Sequence, residues 1–277
     1  MVLNSSIKVI ISDLDGTLLN SNHIISQETI TVFHELHRLN YVIIVATGRH
    51  HLDAMPILNT LDFPVYLVSS NGARIHAPDK SLLYSFDIKS EHIQSVLSID
   101  IDPDITTVLF KENIWLTNKY NQKLNDVQLE IQYHPKLVNF KELEDCGGIK
   151  LLFTHDKHSK LLTVRDQILE KHEGLFNHAF SLPYCLEFMD KTVDKSVAID
   201  KILVLENCSW QETIVFGDGY NDENMLCKAG IGVLMDNAPQ SLKDHLAFLD
   251  QTTSNDAHGV ASYLTMNNLI NKTTLNN

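Results

Sequence analysis

Four short stretches of the chain, 7–11, 41–46, 65–68 and 213–216, are almost unbroken runs of apolar residues. Strands read this way when helices cover both faces of a parallel sheet, because no position then meets water. Between the first two runs, Ile30, Phe33, Leu36 and Leu39 recur at every third residue and predict a helix, with Ser26 as its N-cap and Asn40 as its stop. A second helical stretch, about 51–61, leads into the third run. The opening therefore reads strand, helix, strand, helix, strand. That order requires right-handed crossovers and predicts an α/β fold with a doubly wound, Rossmann-like parallel sheet.

The pattern changes after Asn71-Gly72, a turn dipeptide. Residues 73–75 and 82–86 predict a hairpin around Pro78-Asp79. From about 84 to 186, helical stretches at 90–99 and 158–172 mix with strand-like runs at 106–110, 114–116 and 150–153, which reads as an α+β unit. The first pattern then returns, with a helix over about 195–206, the strand at 213–216, a helix from about 222 and a strand at 231–234. A chain of 277 residues has room for two consecutive domains or for one domain with a large insertion. The return of the first pattern selects the insertion: a sheet domain of 1–83 and 187–277, interrupted by an α+β domain of 84–186. The tail after Leu269 is polar and is expected to be loosely held.

In an open parallel sheet, ligands bind beyond the carboxyl ends of the strands. There the sequence places Asp13-Leu14-Asp15-Gly16-Thr17, Thr47-Gly48-Arg49, Ser69-Ser70-Asn71-Gly72 and Gly217-Asp218-Gly219-Tyr220-Asn221-Asp222. Asp13, Asp15, Asp218 and Asp222 would repel one another on a shared rim, and a bound cation resolves the repulsion. Donors that are all oxygen, with no His or Cys in these loops, favour Mg2+ over zinc, and Mg2+ keeps positions open for phosphate oxygens. A carboxylate at such a site can attack phosphorus and form an aspartyl-phosphate. The spacing of Asp13 and Asp15 lets one act on each side of a bound group, so that Asp15 could protonate the leaving oxygen and then deprotonate water. Thr47 is a donor for phosphoryl oxygens, and Lys195, at the start of a predicted helix, is the best candidate for the cation that stabilises the transferring charge.

Composition narrows the partners. Lys and Arg number 22 against 35 Asp and Glu, a net charge of −13, which argues against duplex nucleic acid or an anionic membrane surface. With 44% hydrophobic and 21% charged residues, the chain reads as neither disordered nor membrane-spanning, and no run approaches the about 20 apolar residues of a membrane span. The first apolar run is cut by Asp13 and Asp15 and cannot be a signal-peptide core. Cys146, Cys185, Cys208 and Cys227 form no C-x-x-C pair, which fits a reducing cytoplasm; Asn4, Asn207 and Asn271 open N-x-S/T triplets that read as chance matches. The 14 histidines invite a metal reading, but His34 with His37 and His155 with His158 lack an acidic partner pattern. His50 and His51 are expected near the pocket rim, within reach of a substrate, whereas Trp115 and Trp210 read as packing residues. Glu187, on a strand-like stretch where the chain re-enters the sheet domain, is a candidate to orient Lys195 or a substrate hydroxyl.

In this order, the motifs resemble those of the haloacid dehalogenase superfamily of phosphotransferases, and within it the Cof-type phosphatases, whose α/β cap is inserted between the second and third motifs. Asp13-Leu14-Asp15-Gly16-Thr17-Leu18-Leu19 is similar to the first motif and Ala46-Thr47-Gly48-Arg49 to the second. Ser70-Asn71-Gly72-Ala73 looks like the segment before the cap, Asp194-Lys195-Ser196 like the lysine motif and Gly217-Asp218-Gly219-Tyr220-Asn221-Asp222 like the last. The resemblance implies Asp13 as nucleophile and Mg2+ ligand, and Asp15 as acid/base with its main-chain carbonyl on the metal. It further implies Asp218 as a metal ligand, Asp222 as its support, and phosphate contacts from Leu14, Thr47, Gly48, Lys195 and Asn221. Arg49, Asn71 and Glu187 are candidate substrate contacts. Thr192 and Ser196 stand where the family usually has glycine, which leaves the geometry of the lysine loop open. The activity implied is that of a cytoplasmic, Mg2+-dependent phosphatase, a monomer or weak homodimer, acting on small phosphorylated metabolites such as sugar phosphates or phosphorylated cofactors. A phosphomutase using the same intermediate, and a non-catalytic sugar-phosphate sensor, are the alternatives; the presence of every residue the chemistry needs argues against the sensor.

Overall fold

The computed structural model describes residues 7–121, 135–267 and 269. The triplets at Asn4 and Asn271 and most of the polar tail lie outside these residues. Contacts divide the chain into two units, Met1–Tyr84 with Asp194–Asn277, and Ser85–Val193.

The first unit is built on a sheet of eight strands among the described residues. They are β1 (Val9–Asp13), β2 (Val42–Ala46), β3 (Tyr66–Ser69), β4 (Arg74–His76) and β5 (Leu82–Ser85), and, numbered along the whole chain, β12 (Thr213–Gly217), β13 (Ile231–Met235) and β14 (Asp250–Thr252). Their order is β14-β13-β12-β1-β2-β3-β4-β5, parallel from β14 to β3 and antiparallel at β4. Successive strands step outward from β1 on both sides, so β1 is the switch point at which ligand sites of such sheets form. The helices of this unit are α1 (Gln27–Arg38), α2 (His51–Leu58), α5 (Lys195–Leu205), α6 (Glu223–Lys228), α7 (Gln240–His245) and α8 (Gly259–Met266).

Ile10, Val45, Phe216 and Val233 share one buried cluster with Phe33 and Leu36 of α1 and Tyr263 and Leu264 of α8. Val9 and Ile11, which point to the opposite face, are buried as completely, and α5 and α6 pack against β3, β12 and β13. Each such side chain contributes about 1.5–3 kcal/mol by leaving water. Ser26 caps α1 by accepting from Thr29 N at 3.2 Å, and Asn40, at φ +63°, turns the chain out of it. Register then sets the site: Asp13 pairs with Ala46, so Thr47 follows beside it, and Ser12 pairs with Phe216, so Gly217 and Asp218 lie just beyond.

The second unit is a mixed sheet of six strands among the described residues, in the order β10-β11-β9-β6-β7-β8. These are β6 (Thr106–Phe110), β7 (Trp115–Thr117), β8 (Lys136–Leu137), β9 (Lys150–Thr154), β10 (Phe176–Leu182) and β11 (Cys185–Asp190). Ile93 and Val96 of α3 (Ser90–Leu97), with Leu161, Val164 and Ile168 of α4 (His158–Lys171), share a cluster with Leu109, Leu151, Phe153, Leu186 and Phe188. The expected re-entry into the sheet domain at 187 differs from this division. The stretch around Glu187 is β11, whose ladder is with β9 and β10, so the second unit runs on to Val193. Strand β10 carries Asn177 and His178 among its apolar residues, and β14 is polar and largely exposed, which is why neither stands out in the pattern of apolar runs.

Candidate active site

Asp13 ends β1, buried, and the chain then makes one wide turn over Leu14–Leu18. Gly16 sits in that turn at φ +76°, where a Cβ would fall 2.3 Å from Asp218 Oδ2. Only glycine lets the β1 loop and the β12 loop approach this closely. The Leu14 side chain is fully buried in the core, so its main chain alone is left to serve the site.

Lys195, the first residue of α5, is 1% exposed and donates from Nζ to Asp13 Oδ1 at 2.5 Å and Asp222 Oδ1 at 2.7 Å. Asp222 Oδ2 in turn accepts from the backbone of Asp218 and Gly219, at 3.1 and 2.9 Å. Asp218 Oδ1 accepts from Thr17 Oγ1 at 2.9 Å. Asp13, Asp218 and Asp222 each present a carboxylate oxygen within 4.8 Å of the others. Burial, and then the neighbouring Asp222, push the Asp13 carboxyl well above the ordinary carboxylate range despite Lys195. The same two causes, in the same order, raise Asp218 to about 6. Burial would lower Lys195, but Asp13 and Asp222 outweigh it and hold the ammonium charged.

Three carboxylates against one ammonium leave excess negative charge in a buried space. A divalent cation would supply the missing charge, and an all-oxygen donor set would suit Mg2+. Asp222 already accepts three hydrogen bonds, two of them on Oδ2, whereas Asp218 accepts one on each oxygen and Asp13 one from Lys195, so Asp13 and Asp218 keep the lone pairs best able to hold the ion.

Asp15 stands apart from this cluster, its side chain 44% exposed, in a forked pair with Arg49: Nε donates to Oδ2 at 2.8 Å and Nη2 to Oδ1 at 2.6 Å. Thr47 is fully buried, and its Oγ1 accepts from Arg49 N at 3.0 Å, which leaves its own proton to donate. Asn71 N donates to Thr47 O at 2.9 Å, and Asn71 Oδ1 accepts from Asn221 Nδ2 at 3.1 Å, with Gly48 packed against the Asn71 amide. The residues singled out after β1, β2, β3 and β12 are thus brought together on one rim.

Glu187 belongs to the second unit, where it accepts from Lys150 Nζ at 2.9 Å, both side chains being buried. The role of orienting Lys195 falls instead to Asp13 and Asp222. Ser196 occupies its glycine-like position by bonding Asp194 Oδ1 through its hydroxyl and its N–H, at 2.6 and 2.7 Å. His50 caps α2, accepting from Leu52 N, and its ring lies 4.2 Å from that of His51, which lies 4.9 Å from that of His76. His34 and His37 pack on Phe63, and Trp115 packs on Phe110. The four cysteines are free thiols, and among the described residues no helix is long and apolar enough to cross a membrane. Sequence reasoning missed Asn237, which reaches Gly16 O at 2.7 Å and Asp218 Oδ2 at 3.3 Å. It follows β13 at the same rim, so the rule that pointed to the other loops applies to it as well.

Residues 10–264 match the model of the haloacid dehalogenase-like hydrolases. The chain belongs to that family and is an enzyme of its phosphatase class. It is 34% identical over 257 residues to a putative phosphatase of Buchnera aphidicola subsp. Baizongia pistaciae, covering 92% of this chain and 96% of that one. It is 31% identical over 252 residues to an HMP-PP phosphatase of Yersinia pseudotuberculosis, covering 91% and 92%. Among solved structures it superposes on a haloacid dehalogenase-like hydrolase from B. subtilis with a TM-score of 0.82, at 27% identity, over 95% of this chain and 100% of that one.

Proposed function

We propose that this phosphatase hydrolyses small phosphorylated metabolites by way of a phosphoryl group held transiently on Asp13. The observation that carries the reading is the buried contact of Lys195 with Asp13, beside the Asp218 carboxylate and across the loop from an exposed Asp15. A Asp13 carboxylate oxygen attacks phosphorus while the bond to the leaving oxygen breaks, and Asp15 gives that oxygen its proton. Asp15 then takes a proton from water, the water oxygen attacks the same phosphorus, and the bond to Asp13 breaks to restore the carboxylate and release phosphate. Arg49 holds the ionised Asp15 carboxylate toward the rim and yields one of its two contacts when Asp15 carries the proton. Thr47, Gly48, Asn221 and the main chain of Leu14 are the proposed contacts to phosphoryl oxygens, and Lys195 meets the charge that spreads over them. Mg2+ held by Asp13, Asp218 and the main chain of Asp15 would neutralise part of that charge when bound.

With this reading go a cytoplasmic location, which the free thiols support, and a monomer or weak homodimer as the working form. A panel of phosphorylated metabolites, begun with HMP-PP because a relative acts on it, tests the proposal with wild type and Asp13→Asn side by side. Wild type should release inorganic phosphate from at least one compound, and the variant should lose at least about a thousandfold in turnover while staying folded. Isomerised sugar phosphate without free phosphate would favour a mutase. Full activity in the variant would remove Asp13 from the nucleophile's role.

A further inference from the structure

We infer that Asn237 is a positioning residue of the cation site, holding Asp218 and the turn after β1 in the arrangement a divalent ion needs; the inference rests on the function proposed above. Asn237 lies just past β13, and its amide orientation is fixed from behind. The Asn255 N–H can only donate, so the Asn237 oxygen faces it, at 3.0 Å, and the amide nitrogen is turned toward the site. There Nδ2 donates to Gly16 O at 2.7 Å and to Asp218 Oδ2 at 3.3 Å. Asn255 also grips the far end of the same turn, donating from Nδ2 to Leu19 O at 2.8 Å.

The two oxygens of Asp218 are thereby engaged from different loops, Oδ1 by Thr17 and Oδ2 by Asn237. Such bonds stop the carboxylate from rotating and leave a lone pair on each oxygen for a cation. They also tie the β13 loop to the Gly16 peptide, whose left-handed conformation brings the nucleophile's loop against Asp218. Contacts of this kind behind a metal ligand are worth about 10–100-fold in metal affinity.

Mn2+ binding to the full-length protein, followed by the electron paramagnetic resonance signal of the free ion, tests the inference in wild type, Asn237→Ala and Asn237→Ser, beside thermal unfolding in chelator. Both variants should bind Mn2+ about tenfold or more weakly than wild type. Their unfolding temperatures in chelator should stay within about 2 °C of wild type. The Mg2+ concentration for half-maximal phosphatase activity should rise by the same factor as the Mn2+ dissociation constant, with turnover recovering at saturation. Wild-type affinity in both variants overturns the inference, as does a loss of affinity matched by a loss of stability in chelator, because the amide then serves the fold. A wild type that binds no Mn2+ overturns instead the function on which the inference rests.

Discussion

At Lys195 an ammonium that is 1% exposed sits between Asp13, at 2.5 Å, and Asp222, at 2.7 Å. Burying a charge this deeply is costly, and only the two carboxylates offset the cost. Lys195→Met keeps most of the stem and removes the charge, leaving two buried carboxylates without their counter-ion. Cation-free protein of this variant should lose about 3–5 kcal/mol in urea unfolding. Its turnover at saturating Mg2+ should fall by about a hundredfold or more, and a near-normal rate would move the stabilising role elsewhere. Asp13, Asp15, Thr47 and Asp218 were legible in the sequence because each follows a buried strand closely enough for topology to assign its rim. The grip of Arg49 on Asp15 was not, since a separation of 34 residues carries no sign of which side chains meet. The sheet to which Glu187 belongs was not legible for a related reason: alternation identifies a strand but does not say which sheet it joins.

Helix α5 carries Lys195 at its first position, so the cap that starts the helix also aims the lysine. Asp194 provides that cap, accepting from Ser196 N at 2.7 Å and Val197 N at 3.4 Å, while its other oxygen accepts from Asn224 of α6 at 2.8 Å. Burial opposes the charge on Asp194, but these hydrogen bonds outweigh it and hold the carboxyl below its ordinary value. A lowered carboxyl contributes stability that is present above its unfolded value and is lost as pH falls through its folded one. Asp194→Ala should therefore cost about 1–2 kcal/mol near neutral pH, with the difference from wild type shrinking in acid. Urea titrations across that range check it, and a difference that holds constant in acid would contradict the cap's ionic character. The helix itself was legible from its apolar residues. An Asp directly before its start is an N-cap signal in its own right; what the sequence does not carry is that Ser196 and Asn224 both bond the Asp194 carboxylate.

Across the whole molecule, the succession of strands and helices along the chain was legible because buried parallel strands leave unbroken apolar runs, and the insertion was legible because that pattern stops and returns. The boundary near 187 was not, because β11 is as apolar as a strand of the first sheet. The net charge of −13 is a property of the whole chain, but its consequence for stability is local. In the cation-free protein Asp218 is raised from 3.8 to about 6, chiefly by burial and then by Asp222. Between those values the folded chain holds a proton that the unfolded chain has released, so this group's contribution falls as pH rises across the window. Mg2+ at about 100 times its dissociation constant should stabilise the fold by about 2.7 kcal/mol. The gap between unfolding temperatures in Mg2+ and in chelator should widen as pH rises from about 4 through about 6, where Asp218 loses its proton; a gap independent of pH would contradict the carboxylate site. The central claim, that Asp13 carries the phosphoryl group, is tested most directly by quenching the enzyme in acid during turnover and measuring the mass of its peptides. One phosphoryl group is expected on the peptide containing Asp13, located at that residue and absent from Asp13→Asn. A phosphoryl group on any other residue would contradict it.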